Sequence, residues 1–375
     1  MKKMKEEYLQ PMFLQMIKQR IKSIKTASAA LLFGAVAICM LVPFMLTSCA
    51  EEESTANMEE ETEEKIQIGM CFDSFVIERW QRDRDVFVAT AKELGADVNV
   101  QNANGVFEEQ VEQIQYFIDK KVDVLVIVAI DSEKISKVVR DAKKAGIYVV
   151  AYDRLISDAN VNLYISFDNE KVGSLMADAL LEKVPEGGDI LTLCGPTTDT
   201  NVGYVVSGFE KELPLKNIEI VGSMNADGWK AELAYNYLND NFDLVNTVDG
   251  IMCGNDSMAG QAVRYLSERR LAGEIPVVGQ DADLEACQRI VEGTQLMTVY
   301  KPVEKLAKTA AEYVVKLATG EELEAKDTIN DGTYDVPYVK LDPIAVTEEN
   351  MDEVIIKSGF HLKEEVYLNV PEKMK

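Results

Sequence analysis

The chain has 375 residues, 47% of them apolar and 27% charged, and a formal net charge of −25. This composition predicts a globular protein with room for two domains, and the negative charge argues against nucleic acid as a partner. A single histidine, His361, and six cysteines without C-x-x-C spacing argue against a zinc-type metal site and against histidine-based catalysis.

The first predicted element is a secretory signal over residues 1–49. Seven Lys or Arg against two Glu in this segment leave a net charge of about −30 on the rest of the chain. Basic residues precede an apolar run over 29–46, and Leu-Thr-Ser-Cys follows at its end. That end resembles a bacterial lipobox, which implies a lipid on Cys49 and a protein anchored to the outer face of the cell membrane.

Two alternatives stay open at this end of the chain. The apolar run approaches the roughly 18 to 20 residues that a transmembrane helix needs, so an uncleaved membrane span is the competing interpretation. Met16, rather than Met1, could be the true start of a shorter signal. Both interpretations of the run place the remaining residues outside the cytoplasm.

The next predicted segment, residues 50–65, is an acidic flexible linker. It contains eight Glu and no basic residue before Lys65. Mutual repulsion and the lack of apolar residues prevent such a segment from forming a core, so we expect a tether between anchor and body.

From residue 66 the chain alternates short apolar runs with amphipathic stretches, which is typical of parallel sheets with crossover helices. The first series of predicted strands is IQIGMCF, ADVNVQ, VDVLVIVAI and IYVVAY. The second is LYISF, DILTLCG, IEIVGSM, VDGIMCG, IPVVGQ and QLMTVY. Two series are too many for one ordinary sheet, so the sequence predicts two Rossmann-like α/β lobes.

The lobes are predicted to be discontinuous in sequence. Residues 66–168 with 302–335 form the N-terminal lobe, and residues 169–301 with 336–375 form the C-terminal lobe. The hinge is placed near Asp168, Lys301 and Val336. The cysteines of the body lie in or beside apolar segments, and buried free thiols are favoured over disulfides for all four: Cys71, Cys194, Cys253 and Cys287.

Neither G-x-G-x-x-G nor G-x-x-x-x-G-K-[ST] follows a predicted strand. The sequence therefore predicts no dinucleotide or nucleotide site, and we expect no cofactor.

The ends of the predicted strands are unusually polar. Ligands bind outside the carboxyl ends of strands in open parallel sheets, so these ends are the candidate site. Carboxylates and amides accept hydrogen bonds, Arg and Lys donate them, and tryptophan offers an apolar face, which together suit a neutral sugar ring. The candidate residues are Arg79, Trp80, Asp153, Arg154, Asp199, Asn201, Trp229, Asn255, Asp281 and Lys301. Helix N-capping is an equally good interpretation for Asp73, Asp131, Asp168 and Asp256.

Several long motifs carry a resemblance to a known family. They are ERWQRDRDVF, QNANG, AYDRLISDA, YISFDNEKVG, VVGQDADL, GTQLMTVYKP and IIKSGFH. With them, residues 65 to about 364 resemble the D-xylose-binding branch of the ribose/galactose-type periplasmic binding proteins of bacterial ABC transporters. The chain departs from that pattern over residues 74–77, which lack a basic residue, and over residues 196–200, where the loop is one residue longer.

The resemblance implies a monomeric clamp of two lobes, joined by three hinge strands and closing on one monosaccharide, with D-xylose preferred. It implies sugar contacts from the ten candidate residues, a ring held between Trp80 and Trp229, and delivery to a membrane permease. A sugar sensor that presents the same clamp to a membrane histidine kinase or chemoreceptor is the alternative. A glycosidase using Asp153 and Asp281 is disfavoured by the family pattern, and a related repressor is excluded by the signal at the N-terminus.

Overall fold

A computed structural model describes residues 65–213 and 217–374, which belong to one compact unit, Glu63–Lys375. The predicted signal, Cys49 and the acidic linker as far as residue 64 lie outside the described residues. The strands are β1 Ile66–Phe72, β2 Ala96–Asn102, β3 Val124–Ile127, β4 Tyr148–Tyr152, β5 Leu163–Phe167, β6 Gly188–Cys194, β7 Ile218–Asn225, β8 Gly250–Cys253, β9 Val277–Gln280, β10 Met297–Tyr300, β11 Asp327–Asn330, β12 Asp335–Leu341 and β13 Ile344–Val346.

The helices alternate with the strands, as the pattern of apolar runs predicts. They are α1 Arg79–Glu93, α2 Phe107–Lys120, α3 Ser136–Lys144, α4 Asn169–Lys183, α5 Thr200–Glu212, α6 Glu232–Asp240, α7 Phe242–Val245, α8 Asp256–Glu268, α9 Leu284–Glu292, α10 Val303–Thr319 and α11 Lys363–Val366. Among the described residues, no helix has the length and apolar character needed to cross a membrane.

The strands form two sheets with the same internal order. The first sheet runs β11-β12-β5-β4-β3-β1-β2 and the second runs β13-β10-β9-β8-β6-β7. All pairings are parallel except β11 with β12 and β10 with β13. The chain order reverses beside β1 in one sheet and beside β6 in the other, and the carboxyl ends at such points form a crevice. The predicted fold class, two parallel sheets flanked by helices, is confirmed.

The central strands are buried on both faces, which explains their nearly continuous apolar sequences. Every residue of β3, β5, β8, β9 and β10 is buried. Strands covered by helices on both sides lose the alternation of apolar and polar residues that half-exposed strands show. Their backbone groups are satisfied in the ladders, so polar side chains concentrate where the strands end.

Helices α4 and α5 pack against each other at unusually short range. A Cβ on Gly173 would lie 2.0 Å from the carbonyl oxygen of Val205, and one on Gly208 would lie 1.9 Å from that of Glu170. Only glycine fits at such backbone contacts. The close packing fixes the N-termini of both helices, from which Asn169 and Asn201 project.

Within residues 65–213 and 217–374, the chain passes between the two sheets three times. β5 of the first sheet leads into α4, which packs on strands of the second, and β10 of the second leads into α10, which packs on α1 and the first sheet. The third passage lies between β12 and β13. The sequence predicts the third passage near Val336, but β12 stays paired with β5 as far as Leu341, which lies opposite Phe167. Because the ladder continues, the third passage lies later, at residues 342–343.

Candidate ligand-binding site

Nine of the ten candidate residues surround one cavity between the carboxyl ends of the two sheets. Its wall consists of Ile77, Arg79, Trp80, Asp153, Arg154, Asp199, Asn201, Val202, Trp229, Gln280, Asp281 and Lys301. The carboxyl ends of β4, β6, β7, β9 and β10 all contribute, because parallel strands end at the same edge of a sheet. The cavity volume is about 20 Å³, which is enough for one or two water molecules at ~10–15 Å³ each.

The tenth candidate, Asn255, is not part of the cavity wall. Its Oδ1 accepts a hydrogen bond of 2.9 Å from the backbone N–H of Met258, so it caps α8. Asn255 follows β8 closely, just as the other candidates follow their strands. The sequence pattern therefore could not distinguish a helix cap from a ligand contact. The sugar-contact assignment of Asn255 is therefore not supported by its position.

The four aspartates that the sequence offers as helix caps have different roles in the structure. Asp168 caps α4 by accepting from Lys171, and Asp131 accepts from the backbone N–H groups of Glu133 and Lys134. Asp256 lies inside α8, where it accepts from Thr298 and Gln295. Asp73 instead accepts a hydrogen bond of 2.8 Å from Nη1 of Arg154, which lines the cavity.

Arg79 is held by a carboxylate one turn further along α1. Its Nε and Nη2 donate to Asp83 at 3.1 and 3.0 Å, while Nη1 donates to Asp153 at 2.9 Å. The hydroxyl of Tyr152 also donates to Asp83, at 2.5 Å. Because Asp83 engages two of the three nitrogens, only Nη1 is directed to the cavity. The spacing of four residues between Arg79 and Asp83 is the sequence signal that could have found this pair.

Arg154 joins the two sheets. Its Nη1 donates to Asp73 and to the carbonyl of Ala129, and its Nε lies 2.6 Å from Oδ2 of Asp199. The latter contact is an ion pair without the alignment of a hydrogen bond, and Nη2 has no partner among the described residues. Asp199 also accepts 3.2 Å from Nε1 of Trp229. One arginine therefore links a strand end of the first sheet to two loops of the second.

Asp153 also connects the two sides of the cavity, through Asn201 and Arg79. Its Oδ1 accepts 2.9 Å from Nδ2 of Asn201, and its Oδ2 accepts from Arg79. Across the cavity, Nζ of Lys301 lies 3.3 Å from Oδ1 of Asp281. These side chains are all buried, so their charges interact more strongly than charges in water do.

The backbone at three site residues is in the left-handed region. The φ angles are 64° at Asp153, 100° at Asp281 and 58° at Trp229. Residues with a Cβ adopt such angles at an energetic cost, and they do so most often at functional sites. Hydrogen bonds to the carbonyl of Asp153 from Tyr164 and Ser166 hold one of these turns.

The pKa values of Asp153 and Asp199, two buried carboxyls of the cavity wall, are shifted in opposite directions. Burial by itself raises the pKa of Asp153, but Arg79, Lys301 and Arg154 outweigh it and hold the pKa below its usual value. Burial raises the pKa of Asp199, and its neighbour Asp153 adds to the rise against the lowering effect of Arg154. Burial opposes the charge of Arg154, yet Asp199 and Asp73 keep its pKa above the usual value.

Several buried polar atoms at the cavity have no hydrogen-bond partner in the described part of the chain. They are Nε1 of Trp80, Nη2 of Arg154 and Oε1 of Gln280. Buried polar groups are almost always paired in folded proteins, so unpaired donors and acceptors around one cavity indicate a polar ligand. Gln280, the last residue of β9, directly precedes Asp281 and is not one of the ten residues predicted from the sequence.

The described residues show no sign of a metal centre or of a reactive thiol. Across residues 65–213 and 217–374, no three His, Cys, Asp or Glu side chains are arranged to hold a metal ion. Cys71, Cys194, Cys253 and Cys287 are free and buried, as predicted. Burial raises the pKa of Cys194 to about 12, which keeps this thiol protonated at neutral pH.

Known proteins are similar to this chain in sequence. The family described as "Periplasmic binding protein domain" matches residues 68–322. The chain is 45% identical to the D-xylose-binding periplasmic protein of Haemophilus influenzae, over 80% of this chain and 92% of that protein. Identity to the protein of the same name from Escherichia coli is also 45%, over 80% and 93%.

A solved structure is similar as well. It is an ABC transporter solute binding protein from Clostridium phytofermentans with bound β-D-glucose, with a TM-score of 0.73 and 26% identity, covering 80% of this chain and 99% of that one. The predicted resemblance is thereby confirmed, and with two sheets of this order around one polar cavity the chain belongs to the periplasmic binding protein family.

Proposed function

We propose that this protein binds a monosaccharide, with D-xylose preferred, outside the cytoplasm and delivers it to an ABC transporter permease. The observation that carries the proposal is the meeting of nine donor, acceptor and aromatic side chains from two sheets around one cavity. Relatives named as D-xylose-binding periplasmic proteins support the choice of sugar. Binding and release need no covalent step, so the function is transport rather than catalysis.

The proposed clamp has two lobes joined by the three passages between the sheets. Residues 66–168 with 302–341 form the first lobe, and residues 169–301 with 344–374 form the second. A cavity of about 20 Å³ is far too small for a pyranose ring. The lobes must therefore part to admit the sugar, and the hydroxyls then take over contacts that side chains now make with one another.

Each proposed contact follows from the geometry of its side chain. Asp153 accepts from a sugar hydroxyl, Arg154 donates through Nη2, and neither changes its protonation state. Trp80 and Trp229 offer apolar faces, although the guanidinium of Arg79 already lies 4.5 Å from the ring centroid of Trp80. Arg79, Asp199, Asn201, Asp281 and Lys301 complete the proposed set.

Specificity follows from the burial of these groups. A sugar that lacks or inverts one hydroxyl leaves a buried donor or acceptor unpaired, at a cost of about 1–3 kcal/mol. Closure is favoured only to the extent that the sugar binds the closed form more tightly than the open one. The permease then distinguishes the closed form from the open form.

Calorimetric titration tests the proposal. The protein is titrated in turn with D-xylose, L-arabinose, D-ribose, D-glucose and D-galactose. We expect D-xylose to bind with a Kd of about 1 μM or lower, and more tightly than the other four. The absence of heat with all five sugars would refute sugar binding, and a preference for a hexose would refute the assignment of D-xylose.

The lipid anchor is a separate part of the proposal. We propose that Cys49 is lipidated and that residues 50–65 tether a monomeric body to the membrane. The support is the lipobox-like sequence. In a bacterial host, labelled fatty acid should be incorporated into the wild-type protein and not into Cys49→Ala. Equal labelling of both proteins would contradict the assignment.

A further inference from the structure

The cavity between the strand ends is the sugar cavity of the proposed function. A second cavity, which shares no wall residue with it, lies beside the passage from β5 to α4. We call it the hinge cavity; its volume is about 220 Å³. The first sheet contributes Tyr164, Tyr338 and Asp327, while Asn169 and Glu170 of α4 and Tyr204 of α5 form the facing wall. At ~10–15 Å³ per water molecule, this space holds a ligand of several heavy atoms rather than a bare ion. Cavities between domains are common ligand sites.

The walls of the hinge cavity contain three tyrosine rings and more carboxylates than basic groups. Its charged side chains are Asp168, Glu170, Asp327 and Lys340. Lys340, the one basic group among them, is already paired with Asp168 at 3.1 Å. Within the described residues, Glu170 and Asp327 have no ion pair. Burial, with Glu170 adding to it, raises the pKa of Tyr204, so this ring stays neutral.

A buried amide at the bottom of this cavity has a free acceptor, and the network around it fixes its orientation. Asp153 can only accept, so Asn201 must turn its Nδ2 toward it, at 2.9 Å. Oδ1 of Asn201 then accepts from Nδ2 of Asn169, also at 2.9 Å. Asn169 is only 5% exposed, and its remaining atom, Oδ1, has no partner among the described residues. This oxygen requires an N–H or O–H donor.

We propose that the hinge cavity binds a small organic cation with N–H donors, a primary amine or a guanidinium, and that its occupancy is coupled to the sugar cavity. Neutral tyrosine rings attract cations through their faces, and the two unpaired carboxylates supply the opposite charge. The cation's N–H groups satisfy the free acceptor of Asn169 and the carboxylates together.

The coupling has a physical route of three residues. The chain of hydrogen bonds from Asn169 through Asn201 to Asp153 joins the two cavities. Tyr164, whose ring lines the hinge cavity, also donates to the backbone carbonyl of Asp153 at 3.1 Å. A ligand that shifts Asn169 or Tyr164 therefore alters the turn that presents Asp153. The coupling rests on the proposed sugar binding, whereas the cation site itself does not.

The first test is calorimetric titration of the protein with methylguanidinium and with 1,4-diaminobutane in about 150 mM KCl, which screens weak surface attraction. N-methylurea, which has the shape of methylguanidinium without its charge, is the matched neutral probe. We expect saturable binding of at least one cation and at least about tenfold weaker binding of the urea. No saturable heat from either cation at 20 mM, taken as roughly the limit of specific binding, would overturn the proposal, as would equal binding of the urea.

Variants locate the site. Tyr204→Leu and Glu170→Gln should each weaken cation binding by about fivefold or more, because each removes an attractive group. Tyr334→Leu and Glu112→Gln change an exposed tyrosine and an exposed glutamate away from the cavity and should bind as the wild type does. Cation binding that persists unchanged in both Tyr204→Leu and Glu170→Gln would overturn the assignment of the site.

Reciprocal titrations test the coupling. With saturating cation, the Kd for D-xylose should change, and the Kd for the cation should change by the same factor with saturating D-xylose. Unchanged values in both directions would refute the coupling. If D-xylose itself gives no heat, the proposed sugar function fails, while the titrations with methylguanidinium and 1,4-diaminobutane still decide the cation site.

Discussion

The first lobe brings two guanidinium groups to the sugar cavity, and each is held by a carboxylate of the same lobe: Arg79 by Asp83, and Arg154 by Asp73. The second lobe brings Asp199 and Asn201, whose bonds reach across to the first lobe. Both lobes use the same strand order, so the topology does not cause this difference. The two guanidinium groups are therefore held by contacts within the first lobe, whereas Asp199 and Asn201 are held by contacts between the lobes.

The largest effect should come from removing the cation that bridges the lobes. Arg154→Ala leaves Asp73 and Asp199 buried without their partner, and breaking a buried ion pair costs about 3–5 kcal/mol. We expect D-xylose binding to weaken more than about 100-fold in calorimetric titration. Arg84→Ala, which removes a more exposed arginine of α1, is the control and should bind normally. Wild-type affinity in Arg154→Ala would show that the sugar binds elsewhere.

The next prediction tests whether Asp83 holds the guanidinium of Arg79 in place. Asp83→Asn keeps the size of the side chain but removes the charge that fixes two nitrogens of Arg79. Hydrogen bonds to charged groups contribute about 1.5–3 kcal/mol, so we expect sugar affinity to fall roughly tenfold or more. Asp85→Asn, at an exposed position of the same helix, is the matched control.

A loss of stability without a loss of affinity would contradict the positioning role of Asp83. Urea unfolding of Asp83→Asn, together with the titration, separates the two effects. Asp83→Glu restores the charge with a longer side chain and should recover part of the affinity if orientation of Arg79 is what matters.

A smaller effect should come from the tryptophan of the second lobe. Trp229→Phe keeps an aromatic face but removes the donor that binds Asp199 at 3.2 Å. One neutral donor to a carboxylate is worth about 1–2 kcal/mol, so D-xylose should bind about five to thirtyfold more weakly. The chain contains only two tryptophans, and both line the sugar cavity.

Tryptophan fluorescence therefore reports on the site directly. Sugar should change the emission of the wild type, and also that of Trp229→Phe, in which only Trp80 remains. No change in the wild type at saturating sugar would contradict contact with either ring.

The smallest effect concerns the two carboxyls with opposite pKa shifts. The pKa of Asp153 is lowered, so its favourable contribution to stability is complete above its ordinary pKa of about 4 and is lost as the pH falls through the lowered value. The pKa of Asp199 is raised, so its charge opposes folding at neutral pH, and protonation relieves this as the pH falls.

Carboxyl NMR titration should therefore show Asp199 protonating at higher pH than Asp153. In urea unfolding at pH 7, Asp153→Asn should lose more stability than Asp199→Asn, by about 1 kcal/mol. The reverse order of protonation would show that Arg154 protects Asp199 more strongly than burial opposes its charge.

The polar strand ends were predictable because they depend only on local sequence and on one rule of topology. Asp153, Arg154, Asp281 and Lys301 each follow an apolar run that reads as a buried strand. In parallel sheets these runs end at a common edge, so the residues after them must meet. Asn255 shows the limit of the rule, because a strand end is also where the next helix needs a cap.

By itself, the sequence determined the fold class, the family and nine side chains of the cavity wall, because apolar periodicity and residues after strands are local properties. Only the tertiary structure decided which polar side chains pair across long stretches of the chain. Asp83 and Tyr152, 69 positions apart, share one hydrogen bond, and Asn169 reaches Asp153 only through Asn201. The ladder between β12 and β5 likewise set the third passage at 342–343, since strand pairing depends on a distant partner that no local pattern specifies.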